Sequence, residues 1–210
     1  MPTDGCVIIG AGGHGKVVLD AYLRARPGAA VELRDDAAEK SGMHVLGVRV
    51  TVPVGPIAQL GGICHVAIGD NMRRRHLGVS ILDAGLALMS VIHPEASVSA
   101  DASIGRGAFI AARAVVAPGA VVEDGVIVNH GAVVDHDCRV GAWSHVAPGS
   151  VLGGGVTIGR SCLIGSGAVL LPGLTVGDEA VVGAGAIVTR SVPAGVTVIG
   201  APAKESHDSG

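Results

Sequence analysis

Val128-Asn-His-Gly-Ala-Val133, Val134-Asp-His-Asp-Cys-Arg139, Val140-Gly-Ala-Trp-Ser-His145 and Val146-Ala-Pro-Gly-Ser-Val151 are four successive blocks of six residues. Each opens with valine and carries a small residue four places later. The beat runs in both directions, with an aliphatic residue at every sixth position from Ile92 to Val188, seventeen blocks in register. An amphipathic helix repeats its apolar residues at i, i+3, i+4 and i+7, so a period of six excludes it. Hexads of this kind wind a parallel β-helix. About four extended residues span roughly 13 Å of one face and two more turn a corner, so three hexads close a triangular coil. The leading aliphatic points into the prism, and its i+4 partner is small because the prism narrows towards each corner. Gly105, Gly141, Gly159, Gly165, Gly177 and Gly183 are expected to ease the corners, where a residue without a Cβ adopts unusual backbone angles at little cost.

The first ninety residues follow a different grammar. Cys6 to Ile9 reads as a strand, Gly10-Ala-Gly-Gly-His-Gly15 as a glycine loop, and Lys16 to Arg24 as a helix with Val17, Val18, Ala21 and Tyr22 on one side. A second strand is expected over Val31 to Leu33, ending at Asp35-Asp36. A third leads through His65 to Ile68 into Gly69-Asp70-Asn71, and a further helix opens at Met72. Such alternation predicts a small parallel sheet, about half of a dinucleotide-binding fold. The expected organisation is therefore an α/β Rossmann-like domain over residues 1–90, a β-helix over 91–204 and a loose tail over 205–210.

Composition narrows the function. A net charge of −3 offers no general attraction to nucleic acid or an acidic membrane. No run of apolar residues is long enough to span a bilayer and no leader opens the chain, so a soluble protein is expected. Cys6, Cys64, Cys138 and Cys162 form no CxxC pair and fit a reducing cytoplasm.

Gly10, Gly12 and Gly15 satisfy G-x-G-x-x-G between a strand and a helix, a setting in which backbone N–H groups and a helix N-terminus cradle a diphosphate. The plainer reading is a tight packing turn. Gly13 and His14 belong to the same loop, and Asp35 and Asp36 stand where acids accept hydrogen bonds from a ribose or base, or are simply solvated. On the β-helix, His130 and His136 hold the third place of their hexads and His145 the sixth. His136 lies between Asp135 and Asp137, and a neighbouring carboxylate raises the basicity of an imidazole and fixes its tautomer, as a general base requires. Gly154 stacks above His136 and is expected to leave room over the ring. His130 reads as a hydrated corner residue, and His145 as either a second polar contact or a surface residue. A zinc site remains a second possibility, although His130 and His136 sit at different corners of one prism.

The hexad array, together with Val7-Ile-Ile-Gly-Ala-Gly-Gly-His-Gly15, Ala67-Ile-Gly-Asp-Asn71, Ile92-His-Pro94, Asn129, Gly131 to Cys138, Ser144-His-Val146 and Ile199-Gly-Ala-Pro-Ala-Lys204, resembles the left-handed β-helix acetyltransferases that modify bacterial nucleotide-linked amino sugars. The resemblance implies a left-handed prism, a homotrimer with active sites between subunits, and acetyl-CoA as cosubstrate with no metal. It implies transfer to the 4-amino group of a UDP- or GDP-linked 4-amino-4,6-dideoxy sugar, with O-acetylation, a zinc enzyme and a non-catalytic binder as alternatives. By position it makes His136 the general base supported by Asp137, although the family often carries Glu there. It places His145 and Gly154 at acetyl-CoA, and Gly10, Gly12, Gly13, His14, Gly15, Asp35, Asp36, Gly69, Asp70 and Asn71 at the nucleotide sugar. UDP is the first expectation, because Asp35-Asp36 resembles the acid pair of the UDP-sugar enzymes, whereas Ala67 to Asn71 and Val133 to Cys138 look as much like the GDP-perosamine enzyme.

Overall fold

The computed structural model describes residues 5–206. The chain is an α/β domain followed by a left-handed parallel β-helix. In the first part β1 (Cys6–Ile9), α1 (Gly13–Ala25), β2 (Val31–Arg34), β3 (His44–Val45), β4 (Val48–Thr51), β5 (Ile63–Val66), α2 (Asn71–Asp83) and β6 (Ala87–Leu88) follow in order. The strands lie as β3-β4-β2-β1-β5-β6 and are parallel except for the β3–β4 hairpin. β1 is buried throughout, as a central parallel strand covered on both faces must be. Helix α1 starts three residues before the expected Lys16, so the second half of the glycine loop is already its first turn. The β3–β4 hairpin was not anticipated; its short strands flank a turn in which Leu46 and Gly47 both have positive φ.

From Val91 onward, two-residue strands repeat every six residues and pair in parallel with those eighteen residues away, as in Phe109 with Ile127 and Ile127 with His145. Three faces result. Face one holds the strands at 91–92, 109–110, 127–128 and 145–146 and their successors; face two those at 97–98, 115–116 and 133–134; face three those at 103–104, 121–122 and 139–140. The leading aliphatics fill the prism, with Ile110, Val128, Val134 and Leu152 fully buried. Ile92 is the exception at 37% exposure, because it lies in the first coil and has no coil stacked before it. At the far end Lys204–Glu205 pairs antiparallel with Thr197–Ile199. The tail expected to be loose from 205 thus begins in register, and residues 207–210 lie outside the described residues.

The corner glycines work differently from expectation. Positive φ falls on the fourth residue of every hexad from Gly107 to Gly185, not on the second. Glycine is required at the second place for another reason: a Cβ on Gly105, Gly141, Gly159, Gly165 or Gly177 would overlap the backbone of the adjacent coil. Five hexads carry a side chain at the left-handed position: Arg113, Asp137, Trp143, Ser161 and Glu179. Each is held there against a cost of about 1 kcal/mol that glycine would avoid. Trp143, Ser161 and Glu179 all stack on the corner between faces three and one, against α2.

The α/β domain docks on face one, where Val91, Phe109 and Ile127 share a core with Ile8, Val18 and Leu19. Trp143, the only tryptophan, is slotted between Gly78 of α2 and Gly125, where any Cβ would overlap its ring. Among the described residues no helix is long and apolar enough to cross a membrane.

Candidate active site

A cavity of about 510 Å³ opens between the ends of β1, β2 and β5 and the start of α1. Gly10, Gly12, Gly13, His14, Asp35, Asp36 and Gly69 line it, and so do Lys40 and Arg73, which carry no sequence signature of their own. Gly12 caps α1 without a side-chain bond and no acid stands in the first turn, so the unpaired N–H groups face the cavity. With Lys40 and Arg73 beside them, these amides suit the negative charge of a diphosphate. Gly15 is not in the wall; it is glycine because a Cβ would overlap the Gly10 carbonyl.

Two other expected ligand residues are committed elsewhere. Asp70 accepts the N–H of Arg73 at 2.8 Å and caps α2. Asn71 donates to the carbonyls of Ser161 and Cys162 at 3.2 and 2.9 Å, tying the domains together. Asp35 is in the cavity but occupied: Oδ2 accepts from Ala11 N and Lys40 Nζ, both at 2.7 Å, and Oδ1 from Ala37 N at 2.9 Å. Burial pushes this carboxyl upward, yet Lys40 and the two amides outweigh it and leave it below its ordinary range. Asp35 therefore shapes the loop that walls the cavity, and Asp36 Oδ1 likewise holds Val54 N at 2.9 Å.

Behind the cavity, Arg74 is 1% exposed. Its guanidinium donates to the carbonyls of Ile68, Gly69, Gly125 and Trp143 and to Asn71 Oδ1, at 2.7 to 3.0 Å. It pins the Gly69 turn to the β-helix, and burial lowers its pKa to about 10. In the sequence it is one of three consecutive arginines, 73 to 75, with nothing to single it out. His145 lies beside this clamp, not at the surface. Asn129 Nδ2 donates to its Nε2 at 3.1 Å, and its ring centroid is 6.5 Å from that of His14. His14 packs edge-on to Phe109 at 5.3 Å, and its Nε2 is buried without a partner. Burial holds both imidazoles neutral, His14 at about 3 and His145 at about 4.

His136 occupies the corner between faces two and three, with its side chain 62% exposed. Nδ1 meets Asp137 Oδ2 at 2.8 Å, and the backbone N–H is accepted by Asp135 Oδ1 at 2.8 Å. The bond to Asp137, aided by the charge of Asp135, raises its pKa above the ordinary histidine value. Gly154 does face the ring, but the imidazole itself fills the space, since a Cβ there would overlap Nε2. His130 stands on a different edge, between faces one and two. Among the described residues no three His, Cys, Asp or Glu side chains are grouped to hold a metal ion.

The two halves of the expected site do not meet within one chain. The cavity belongs to the domain docked on face one, and His136 lies on the edge opposite that face. With faces about 13 Å wide, that edge stands about 11 Å behind the plane of face one, several times the reach of a hydrogen bond. The aliphatics exposed on face two, Val151, Val169 and Ile187, run beside the His136 edge.

Residues 6–80 match the family model of the PglD N-terminal domain, and residues 83–173 that of the GMPPB C-terminal domain. Comparison with curated proteins found no match. Among solved structures, perosamine N-acetyltransferase from Caulobacter crescentus, a histidine-to-asparagine variant in complex with CoA and GDP-perosamine, is 42% identical, with 97% of each chain covered and a TM-score of 0.90. The acetyltransferase domain of PglB from Neisseria gonorrhoeae FA1090 in complex with acetyl coenzyme A is 39% identical, over 97% of this chain and 99% of that one, with a TM-score of 0.88. PerB from Caulobacter crescentus in complex with CoA and GDP-perosamine is 39% identical over 96% and 97%, with a TM-score of 0.77.

Proposed function

The chain belongs to the family of sugar N-acetyltransferases represented by these Caulobacter and Neisseria structures, and from that membership we propose that it moves the acetyl group of acetyl-CoA onto the amine of a GDP-linked 4-amino-4,6-dideoxy sugar. The likeness to the GDP-perosamine enzyme at 42% identity over 97% of the chain carries this reading. The case for UDP rested on Asp35-Asp36, and the bonds that occupy Asp35 weaken it.

In this reading the nucleotide lies in the 510 Å³ cavity, its diphosphate on the Gly12-Gly13 amides with Lys40 and Arg73. Acetyl-CoA supplies an activated thioester. The neutral amine attacks its carbonyl carbon, a C–N bond forms, the C–S bond breaks and CoA leaves as the thiol. His136 Nε2 takes the proton the nitrogen sheds and passes it to the departing sulfur, while Asp137 holds Nδ1–H. The N–H groups of Gly153 and Gly155 are spent on Leu170 O and His136 O, leaving the amide of Gly154 to receive the oxyanion. Cys138 is no nucleophile: it is 1% exposed, burial raises its thiol pKa, and its Sγ–H donates to Gly153 O at 3.2 Å. Because cavity and base lie on opposed sides of a chain, each site needs two chains. We assign a homotrimer, three chains of 20.7 kDa or about 62 kDa, whose contacts use the apolar ladder of face two. Unpaired cysteines and dependence on acetyl-CoA suit the cytoplasm.

The test crosses GDP- and UDP-linked 4-amino-4,6-dideoxy sugars with acetyl-CoA and follows free thiol. Release is expected, faster with the GDP sugar. His136→Ala should lower kcat by about 10²- to 10⁴-fold and leave nucleotide-sugar binding unchanged. No release from any amino sugar rejects the function, and unchanged turnover in the variant rejects the base.

A further inference from the structure

The corner that carries His136 is a stack of left-handed turns, with Gly119, Asp137, Gly155 and Gly173 following one another coil by coil. Three are glycines and one is an acid. Outside glycine that backbone region is uncommon, and its occupants gather at functional sites. Asp137, at φ 59°, turns its carboxylate back onto the residue before it, where Oδ2 stands 2.8 Å from His136 Nδ1.

Gly119 lies one coil earlier, directly beside this acid. A Cβ there would stand 2.6 Å from Asp137 Oδ1, inside van der Waals contact. The left-handed turn does not by itself explain the glycine, because Arg113, Trp143, Ser161 and Glu179 hold the same place in other hexads. Crowding is not the rule at that place either. Gly131, Gly155, Gly167 and Gly185 have nothing within 4 Å of where a Cβ would be. Gly107 and Gly125 make room for Leu88 and Trp143 at the domain seam, and Gly119 makes room for a carboxylate.

If a side chain stood at 119, the part of the neighbouring coil that yields would be the acid. Its backbone is held, since Asp137 N–H donates to Pro118 O at 3.1 Å and Gly155 N–H to His136 O at 2.9 Å. Its side chain is 74% exposed and can swing into water. The fold would survive and the contact with His136 would not.

We propose that Gly119 is a positioning residue for the base, its bare Cα leaving the space in which Asp137 stays against His136. The catalytic consequence rests on the transfer reaction proposed above. Within the chain, Asp137 and Asp135 are the charged groups that act on the imidazole, whereas Gly119 and Gly154, on the coils to either side, carry no charge. Moving Asp137 away therefore leaves only Asp135 to favour the protonated ring.

Gly119→Ala in the full-length protein tests this, with Gly185→Ala as a control that carries the same left-handed strain beside no neighbour. An NMR titration of the His136 ring protons should give a lower pKa in Gly119→Ala than in wild type, and an unchanged one in Gly185→Ala. The acid limb of kcat should move to lower pH with it and the plateau should fall about tenfold, while KM for the amino sugar stays within about twofold. Added to Asp137→Asn, Gly119→Ala should cost nothing more, because both act through one contact. A wild-type His136 pKa in Gly119→Ala, or a loss that adds in full to that of Asp137→Asn, overturns the role. Should Gly119→Ala not fold, Gly119→Asn brings the same Cβ on a residue that tolerates the left-handed region, and the same readouts decide. A wild-type protein that acetylates no amino sugar rejects the reaction instead, and the titration still tests where Gly119 lets Asp137 sit.

Discussion

The seam between the domains and the far edge of the prism both hold histidines, and the two places tune them in opposite directions. At the seam, burial strips His14 and His145 of water and lowers their pKa values to about 3 and about 4, so both are neutral packing and hydrogen-bonding groups. At the edge, His136 stays in solvent beside Asp137 and Asp135 and its pKa rises. Residue type is the same and chemistry is not. One environment selects neutral rings that shape a cavity; the other keeps a ring basic enough to take a proton. The difference also has a spatial side, since the two regions face away from each other, and the proposed reaction can use both only across two chains.

The largest expected effect breaks that separation directly. His136→Ala and Gly12→Asp, which sets a carboxylate where a phosphate would lie, should each be inactive alone. Co-refolded in equal amounts, they should regain about a quarter of wild-type activity, since one interface in four then pairs an intact edge with an intact cavity. No recovery from well-formed mixed oligomers would mean that each chain is self-sufficient.

Next in size is an acid-sensitive seam. An unfolded chain protonates His14 and His145 near 6.5, whereas the folded chain resists until about 3 and about 4. The unfolded state thus binds more protons in that window, and stability present above pH 6.5 is lost as pH falls through it. The loss should be about 2 kcal/mol per imidazole between pH 7 and pH 5. Denaturant titrations followed by Trp143 fluorescence measure it, and a His14→Asn, His145→Asn double variant should show a flatter dependence. An equal slope in that variant would move the acid sensitivity elsewhere.

The smallest effect sharpens the edge. Asp137→Asn removes the main cause of the raised His136 pKa, so the acid limb of kcat should move to lower pH, with the plateau down by about tenfold. A limb that does not move would show that Asp137 leaves the base untuned.

Much of this was readable in the chain. Period six placed the prism, its inward aliphatics and the corner positions of His130 and His136. The glycine loop between β1 and α1 marked the cavity, and seven of its expected ligand residues do line it. The residues that lie outside the wall share a cause. Asp70, Asn71 and Gly15 stand in the right segment, but backbone groups nearby claim their side chains or space. Lys40 and Arg73 reach the cavity from positions that no local pattern marks. The second-place glycines look like turn residues in sequence, yet answer to the coil stacked beside them.

Short-range order is what the sequence alone determined. A residue every sixth place must face inward, because six residues take the chain along one face and round one corner, coils pair with those eighteen residues away, and apolar side chains leave water. Which outer face receives the α/β domain was settled only by tertiary contacts between residues far apart, such as Arg74 with Gly125 and Asn71 with Cys162. Those contacts satisfy buried polar groups whose partners no local pattern encodes. Docking on face one half-buried His145 and left His136 on the edge behind it. That choice left one imidazole neutral at the seam and the other basic in solvent.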